Sequence, residues 1–281
     1  MFIQSIDCTD ENAGQKLVRS LHETGFAVLA KHPISGTLLN TIYTGWHQFF
    51  NSDDKHVFVY DTEDADTNQA GFHPQHVSET AIGHSTKDIK EFFHVVPGGR
   101  IPPSLKAEIL EYRELVMQLG KKLFEWLQRD MPVEISAKFS QPLPEVLSST
   151  MSLLRILHYP PLTGSEDTLA ERAAPHEDIN LLTILPVADQ PGLQVKGFDG
   201  EWIDVASRQG ELIVNAGDML REASGGYFPS TTHRVINPPD ESGNVSRLSI
   251  PFFLAPRMDF ILSARYTAGS YLKERLQLIG C

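Results

Sequence analysis

Three residues in this sequence, His176, Asp178 and His233, have the chemical types needed to hold one divalent metal ion. His176 and Asp178 directly precede an apolar run that ends at Leu185. In a β-strand, residues i and i+2 face the same side, so their side chains would lie together while Glu177 faces away. His233 could reach the same ion from a neighbouring strand. Two histidines and one carboxylate are the ligand set typical of non-haem iron(II) oxygenases.

The His-x-Asp pair alone carries little information, because it recurs by chance in many sequences. Several more histidines compete for the role of ligand, and each of them alone is more typical of a surface or core residue. The three candidates gain weight only if residues of related chemistry accompany them. The competing histidines are His73, His76, His84, His94 and His158.

Arg247 and Ser249 are residues of this kind. They stand two apart in the stretch from Ser246 to Phe253, so on a strand they share one face. An arginine fork and a hydroxyl together suit the binding of a carboxylate inside a pocket. The stretch follows His233 closely enough for a hairpin return. An ordinary surface arginine beside a strand serine would give the same pattern, so both interpretations stay open.

Helical periodicity dominates the sequence up to residue 150. Apolar residues recur at helical spacing in Glu11 to Thr24, and Phe26 to Ala30 indicates a short strand. Ser35 is a candidate N-cap for the next helix. The strongest pattern follows Pro102-Pro103, where apolar residues keep helical spacing over several turns.

Short units with strand character follow residue 150, and Gly, Pro, Asp and Asn separate most of them. Such units favour a β-sandwich or barrel. We predict one domain over residues 1–281, with a mostly helical part (1–150), a β core (151–256) and a helical tail (257–281) that includes Ala268 to Leu278. The predicted strands are Met151 to His158, His176 to Leu185, Leu193 to Val195, Trp202 to Val205, Glu211 to Asn215, Thr231 to Ile236 and Ser246 to Phe253.

Composition argues against several classes of protein. The chain of 281 residues has a net charge of −12, so we expect neither nucleic acid nor anionic membranes as general partners. It has no apolar run long enough to span a bilayer and no pattern typical of a secretory signal. Its two cysteines, Cys8 and Cys281, suggest no disulfide framework, so we expect a cytoplasmic location. The oligomeric state is left open.

Several segments resemble the isopenicillin N synthase-like family of iron(II)- and 2-oxoglutarate-dependent dioxygenases. They occur in the order and spacing of that family over residues 150 to 256, which is more specific than any single motif. The N-terminal half resembles the family more weakly, in TGFAVLAKHPIS and in GFHP followed by SET and DIKEFFHV. The matching segments of the second half are HEDINLLTIL, PGLQV, Trp202, GELIVNAGDML, GGYFPSTTHRVINP and RLSIPFF.

The resemblance implies a mainly β fold with flanking α-helices, in which a double-stranded β-helix (jelly roll) holds the metal inside one end. It implies that His176, Asp178 and His233 bind iron(II). It also implies that Arg247 and Ser249 hold the distal carboxylate of 2-oxoglutarate. Dioxygen would be the second cosubstrate, with ascorbate as a reductant in some cases.

Tyr159, in LRILHYPP, matches a family tyrosine near the cosubstrate. Many plant members have an asparagine two positions earlier, where this chain has Leu157. Any polar contact from that asparagine is therefore absent here or replaced.

The function implied is oxidation of a small organic molecule, by hydroxylation or desaturation, with release of succinate and CO2. An iron oxidase of the same fold that does not use 2-oxoglutarate is an alternative, because some family members share the Arg-x-Ser pair without using that cosubstrate. The same three ligands would also suit a divalent-metal hydrolase, and the same fold would suit a non-catalytic jelly-roll binding module. Fold and cosubstrate do not select the substrate.

Candidate substrate-contacting residues come from less patterned positions. Asn180 continues the i+2 series of His176 and Asp178, and Phe253 continues the series of the arginine and serine pair. Arg221 could pair with an acidic substrate. His73 and His94, from the N-terminal part, complete the set.

Overall fold

The computed structural model of the protein describes residues 3–61, 70–77, 86–206 and 208–278. The segment SET (residues 78–80), His84 and Cys281 lie outside these ranges. Within the described residues, no helix combines the length and the apolar character needed to cross a bilayer.

The longer helices of the N-terminal half form where the apolar periodicity predicts them. The Ser35 hydroxyl accepts a hydrogen bond from the Leu38 N–H at 3.1 Å and so caps the second helix. Gly25, with φ of 71°, ends the first helix in the left-handed conformation. The helices are α1 (Ala13–Thr24), α2 (Gly36–Phe50), α3 (Lys106–Asp130), α4 (Val133–Ser136), α5 (Leu143–Val146), α6 (Asp218–Ala223) and α7 (Ala268–Leu278), of which α7 has the predicted bounds.

The strands are short and separated by turns, as expected for a β core. Among the described residues, four strands lie before residue 150 and nine lie after it. The strands are β1 (Ser5–Asp7), β2 (Phe26–Ala30), β3 (Gly71–His73), β4 (Glu91–Val95), β5 (Leu153–Tyr159), β6 (Ala173–His176), β7 (Leu182–Pro186), β8 (Leu193–Lys196), β9 (Trp202–Asp204), β10 (Leu212–Ala216), β11 (His233–Val235), β12 (Arg247–Ser249) and β13 (Phe252–Leu254).

These strands form two sheets that face each other. The large sheet has the order β1-β2-β10-β7-β13-β5-β4-β3, with β12 also paired to β5, and the small sheet has the order β6-β11-β8-β9. Apolar side chains from both sheets meet between them. Phe26 and Ile213 of the large sheet pack with Val195 of the small sheet, and Tyr159 packs with Val235. The fold is thus mainly β, a double-stranded β-helix with flanking helices, as predicted.

The opposite face of the large sheet packs against the helices. Alternate residues of β5, Leu154 and Ile156, are fully buried there in one apolar cluster with Trp46 of α2 and Phe124 of α3. The intervening residues of β5 therefore face the small sheet, because successive side chains of a strand point to opposite faces. The large sheet separates a filled helical core from the space between the sheets.

Two of the predicted strands are wrong in detail. The strand predicted over His176 to Leu185 is interrupted, since β6 ends at His176 and β7 begins at Leu182. The strand predicted over Ser246 to Phe253 is divided into β12 and β13, with Pro251 between them. Proline cannot donate to a strand ladder, which explains the second break.

The N-terminal part contains more strand than its helical pattern indicates. The predicted strand Phe26–Ala30 is confirmed, but β1, β3 and β4 were not predicted. All four join the large sheet, where β4 pairs with β5 over five residues and β2 pairs with β10. Each of the missed strands has three to five residues, which is too short for a periodicity signal.

Substitution of Ser35 by alanine tests the N-cap of α2. We expect the free energy of unfolding to fall by about 1 kcal/mol, because the Leu38 N–H loses its acceptor. Urea denaturation followed by circular dichroism measures this change. Thr37→Ala, at an exposed position in the same turn, is the control and should change the free energy by no more than about 0.5 kcal/mol. Equal stability of the two variants would show that the cap does not contribute.

Candidate metal centre

The structure brings His176, Asp178 and His233 together between the two sheets. One nitrogen or oxygen from each residue lies within 4.8 Å of the others. The Asp178 Oδ1 atom is 4.0 Å from His176 Nε2 and 3.8 Å from His233 Nε2. The two histidines are direct cross-strand partners on β6 and β11. Three atoms at these separations can coordinate a single divalent ion.

Backbone carbonyls orient both imidazoles. His176 Nδ1 lies 2.7 Å from the Ala174 carbonyl oxygen, and His233 Nδ1 lies 3.1 Å from that of Thr231. A carbonyl oxygen can only accept, so each Nδ1 carries the proton and each Nε2 keeps its lone pair. A hydrogen bond from the ring nitrogen that does not face the metal position fixes the orientation that a histidine ligand requires.

The two oxygen atoms of the Asp178 carboxylate make different contacts. Its Oδ2 atom accepts hydrogen bonds from Thr183 Oγ1 at 2.5 Å and from Asn215 Nδ2 at 2.8 Å. Its Oδ1 atom faces the imidazoles. Burial acts to raise the pKa of Asp178, but the imidazoles and the two hydrogen bonds outweigh burial and hold that pKa below its usual range. The carboxylate is therefore ionised at neutral pH.

Burial also affects the protonation of His176. The pKa of His176 is lowered to about 4. Burial is the largest cause, the neighbouring His233 acts in the same direction, and Asp178 opposes the shift. His176 is therefore neutral at pH 7, the form in which imidazole binds metals.

The loop at residues 177–181 carries Asp178 out of the strand and against the start of α6. The Asp218 N–H donates to the Asp178 carbonyl at 2.7 Å, and the Gly217 N–H donates to the Leu181 carbonyl at 3.0 Å. A Cβ atom on Gly217 would lie 2.2 Å from the Asn180 carbonyl oxygen. Only glycine permits this approach, so Gly217 helps to position the loop that carries Asp178.

Two residues predicted to contact substrate occupy structural positions in this loop region. The Asn180 side-chain amide donates to the Leu182 carbonyl at 2.5 Å, because Asn180 lies in the loop and not on the predicted strand. Arg221 of α6 forms ion pairs at 3.0 Å with Glu177 and with Asp218. Glu177 thus points away from the metal ligands, as the sequence predicted.

The predicted anion clamp lies on the inner face of the large sheet. Arg247 is 2% exposed, and its Nε atom donates to the carbonyls of Gln190 and Pro191 at 3.1 and 3.2 Å. Its Nη1 atom is buried and makes no hydrogen bond to the described part of the chain. A buried guanidinium N–H without an acceptor is costly, so the site fits an anionic ligand such as the 2-oxoglutarate carboxylate.

Ser249 and Tyr159 lie near Arg247 on the same inner face. Ser249 is 4% exposed and lies two residues after Arg247 on β12. Tyr159, on β5, is the direct cross-strand partner of Arg247, whose guanidinium carbon is 5.2 Å from the centre of the tyrosine ring. Burial raises the pKa of Tyr159, so its phenol remains a neutral hydrogen-bond donor.

The remaining predicted residues lie further along the same inner face. His73, His94 and Phe253 belong to β3, β4 and β13, and the ring centres of His73 and His94 are 4.5 Å apart. Arg155 also lies on this face and was missed at the sequence level. Alternation along the strand predicted over Met151 to His158 places it on the same face as Leu153 and Leu157.

Several known proteins are similar to this chain in sequence or in structure. The model of the family described as the 2OG-Fe(II) oxygenase superfamily matches residues 150–256. A solved structure of a candidate oxygenase from Shewanella oneidensis is 52% identical, with a TM-score of 0.88, over 100% of this chain and 99% of that one. Feruloyl CoA ortho-hydroxylase 2 from Arabidopsis thaliana is 26% identical over 90% of this chain and 69% of its own.

A second similar structure is that of a full-length Neurospora crassa protein in complex with alpha-KG. It is 22% identical, with a TM-score of 0.79, over 97% of this chain and 95% of that one. At this identity the likeness concerns the fold, and it extends over the N-terminal half that the family match does not cover.

Replacement of Thr183 by valine tests the support of the metal-binding carboxylate. We expect the affinity for Mn(II) to fall by about tenfold, because Asp178 Oδ2 loses its shortest hydrogen bond without a large change in side-chain volume. Equilibrium dialysis measures the affinity. Thr183→Ser keeps the hydroxyl and should bind Mn(II) as the unmodified protein does. Equal affinity of the valine and serine variants would contradict this role.

Gly217→Ala tests the close approach of the loop to α6. The added Cβ would collide with backbone at residue 180, so we expect the free energy of unfolding to fall by about 1–3 kcal/mol, with weaker Mn(II) binding. Urea denaturation and dialysis measure the two effects. Gly36→Ala, where nothing lies within 4 Å of the added atom, is the matched control and should leave both unchanged. A fully stable Gly217→Ala protein would contradict the steric constraint.

Proposed function

The chain belongs to the 2OG-Fe(II) oxygenase superfamily, and on this premise we propose which of its residues perform the reaction. The protein is a non-haem iron(II), 2-oxoglutarate-dependent oxygenase that oxidises a small organic molecule and releases succinate and CO2. We propose that His176, Asp178 and His233 are its iron ligands. The observation that carries this proposal is the convergence of one carboxylate oxygen and two Nε2 atoms within 4.8 Å.

Iron(II), when bound, supplies the activation of dioxygen, which amino-acid side chains do not provide. The contribution of the protein is to hold the ion with neutral imidazoles and an ionised carboxylate. Asp178 offsets part of the positive charge of the ion. Thr183 and Asn215 keep the carboxylate in place. Three protein ligands on one side leave further coordination positions to cosubstrate and dioxygen.

We propose that Arg247 and Ser249 bind the distal carboxylate of 2-oxoglutarate, with Tyr159 beside it. The unpaired Nη1 of Arg247 supports this role, because an anion would supply the acceptor that the described part of the chain does not. For hydroxylation the atoms balance as one oxygen atom to the substrate, one to succinate, and the C1 carboxylate of 2-oxoglutarate to CO2. The donor set and the anion clamp occur together, which favours this function over a metal hydrolase.

The substrate is proposed to be a free small molecule and not a nucleic acid. The net charge of −12 supports this, because phosphate backbones repel an acidic protein. We propose that the whole chain acts as one domain, since a single apolar cluster includes residues from Ile6 to Tyr271. A cytoplasmic location is proposed from the sparse use of cysteine, with Cys8 free and buried.

Anaerobic titration tests both binding sites together. Protein with Fe(II) and 2-oxoglutarate should develop a visible charge-transfer band, and His233→Ala should lose it because one iron ligand is removed. Arg247→Gln should bind iron normally but require about tenfold more 2-oxoglutarate, because a charged hydrogen bond is lost. Arg234→Gln is the control, since Arg234 contacts Gln194 and stacks over Trp202 instead.

Two results would contradict the proposed roles. The first is a protein without a band that supports hydrolysis with zinc, which would favour the hydrolase. The second is Arg247→Gln with unchanged 2-oxoglutarate affinity, which would remove the clamp from this residue.

A further inference from the structure

Strand β12, which carries both residues of the proposed 2-oxoglutarate clamp, has one strand partner in the described part of the chain. It has three residues and pairs with β5 along one edge. The connection between β7 and β8, residues 187–192, contacts its other edge. A single pairing of two short strands is marginally stable. Contacts with the connection therefore contribute to the orientation of Arg247.

The connection holds β12 at two points. The Asp189 Oδ1 atom accepts a hydrogen bond from the Leu248 N–H at 3.2 Å. The next two residues accept from Arg247, whose Nε atom lies 3.1 Å from the Gln190 carbonyl oxygen and 3.2 Å from that of Pro191. Leu248 directly follows Arg247 in the chain. Asp189 therefore fixes the backbone beside the clamp arginine, while its two neighbours fix the guanidinium.

Helix α2 in turn holds Asp189. The Nε2 atom of His47 lies 2.6 Å from Asp189 Oδ2, and a carboxylate oxygen can only accept, so this nitrogen carries a proton. The Nδ1 atom of His47 lies 3.3 Å from the Ser246 hydroxyl, which is also 2.7 Å from His158 Nε2. Ser246 directly precedes Arg247 in the chain. Helix α2 thus holds the residue before the arginine directly and the residue after it through Asp189.

These supporting contacts lie on the helix side of the large sheet. Leu248 is fully buried in the apolar cluster that includes the helices, so alternation directs Arg247 towards the small sheet. The connection occupies the Nε atom of Arg247. Its Nη1 atom is buried and has no hydrogen-bond partner in the described residues. The support therefore fixes the guanidinium and leaves an N–H group for a ligand.

We propose that Asp189 is a positioning residue for the cosubstrate. Together with His47, it holds β12 so that Arg247 presents Nη1 to the distal carboxylate of 2-oxoglutarate. It acts through Arg247 and not by touching the cosubstrate, because one of its oxygen atoms binds Leu248 and the other binds His47. This role rests on the proposed clamp, and it adds the group that supports the affinity of that clamp.

Two 2-oxo acids separate this role from a general effect on the protein. 2-Oxobutyrate keeps the 2-oxo acid group of 2-oxoglutarate but lacks the distal carboxylate, so its binding does not use Arg247. Anaerobic Fe(II) protein is titrated with each compound, and the charge-transfer band reports binding. Asp189→Ala should weaken 2-oxoglutarate binding by about fivefold, the loss typical of one hydrogen bond. Its affinities for 2-oxobutyrate and Mn(II) should stay unchanged.

A double substitution tests whether Asp189 acts through Arg247. If it does, Asp189→Ala should cause no further loss of 2-oxoglutarate affinity in the Arg247→Gln protein, because the arginine that it positions is gone. If the two residues acted independently, the two losses would multiply.

Three further variants complete the test. Asp189→Asn keeps an oxygen that can accept from the Leu248 N–H, so its 2-oxoglutarate affinity should stay within about twofold of the unmodified protein. His47→Ala removes the partner of Asp189 and should weaken 2-oxoglutarate binding by about threefold without affecting 2-oxobutyrate, which provides a second variant if Asp189→Ala folds poorly. Asp199→Ala is the matched control and should bind both compounds normally, because Asp199 accepts from the Glu201 N–H in the turn between β8 and β9.

The failures of the two proposals are distinguishable. If no band forms with either 2-oxo acid, the proposed function fails, and if Arg247→Gln alone binds 2-oxoglutarate normally, the clamp fails. With both intact, the positioning role is overturned if Asp189→Ala binds 2-oxoglutarate normally or loses 2-oxobutyrate affinity to the same extent. It is equally overturned if the effect of Asp189→Ala persists in the Arg247→Gln protein, or if Asp189→Asn binds as weakly as Asp189→Ala.

Discussion

The burial of the Asp178 carboxylate is the constraint on which the rest of the structure depends. An ionised carboxylate is tolerated inside a protein only if hydrogen bonds and opposite charge compensate for the lost water. The large sheet supplies two donors to one oxygen, from Thr183 and Asn215. The small sheet supplies two imidazoles beside the second oxygen. The carboxylate is therefore satisfied only when the two sheets are packed together.

The same constraint explains the local backbone. A continuous strand through Asp178 would place its side chain by alternation alone, whereas the loop at residues 177–181 is fixed by hydrogen bonds to the start of α6. Asp218, the first residue of that helix, also accepts a hydrogen bond from the Tyr271 hydroxyl at 3.1 Å and lies 3.4 Å from Arg275. Helix α7 is thus attached through Asp218 to α6, the helix whose start positions the loop that carries Asp178.

The sequence predicted the site better than it predicted the path of the chain through the site. Alternation placed His176 and Asp178 together, and they do lie together, but through a loop and not through the predicted strand. Asn180 shows the consequence, because the i+2 series ends where the strand ends and its amide binds backbone instead. The short strands β3 and β4 left no periodic signal, yet they place His73, Phe92 and His94 on the inner face of the large sheet. Such tertiary placement depends on pairing with β5, which a local pattern does not contain.

The alternation of residues along β5 determines which side chains lie on the inner face of the large sheet. Its inner face presents Tyr159 beside the proposed cosubstrate clamp, Leu157 in the middle and Arg155 beside Phe253. A strand keeps these side chains at fixed separations, so the Arg247 end and the Phe253 end of this face stay distinct. An asparagine at position 157 would make the middle of this face polar. Leucine makes it apolar, so this part of the face offers hydrophobic contact and no hydrogen bond.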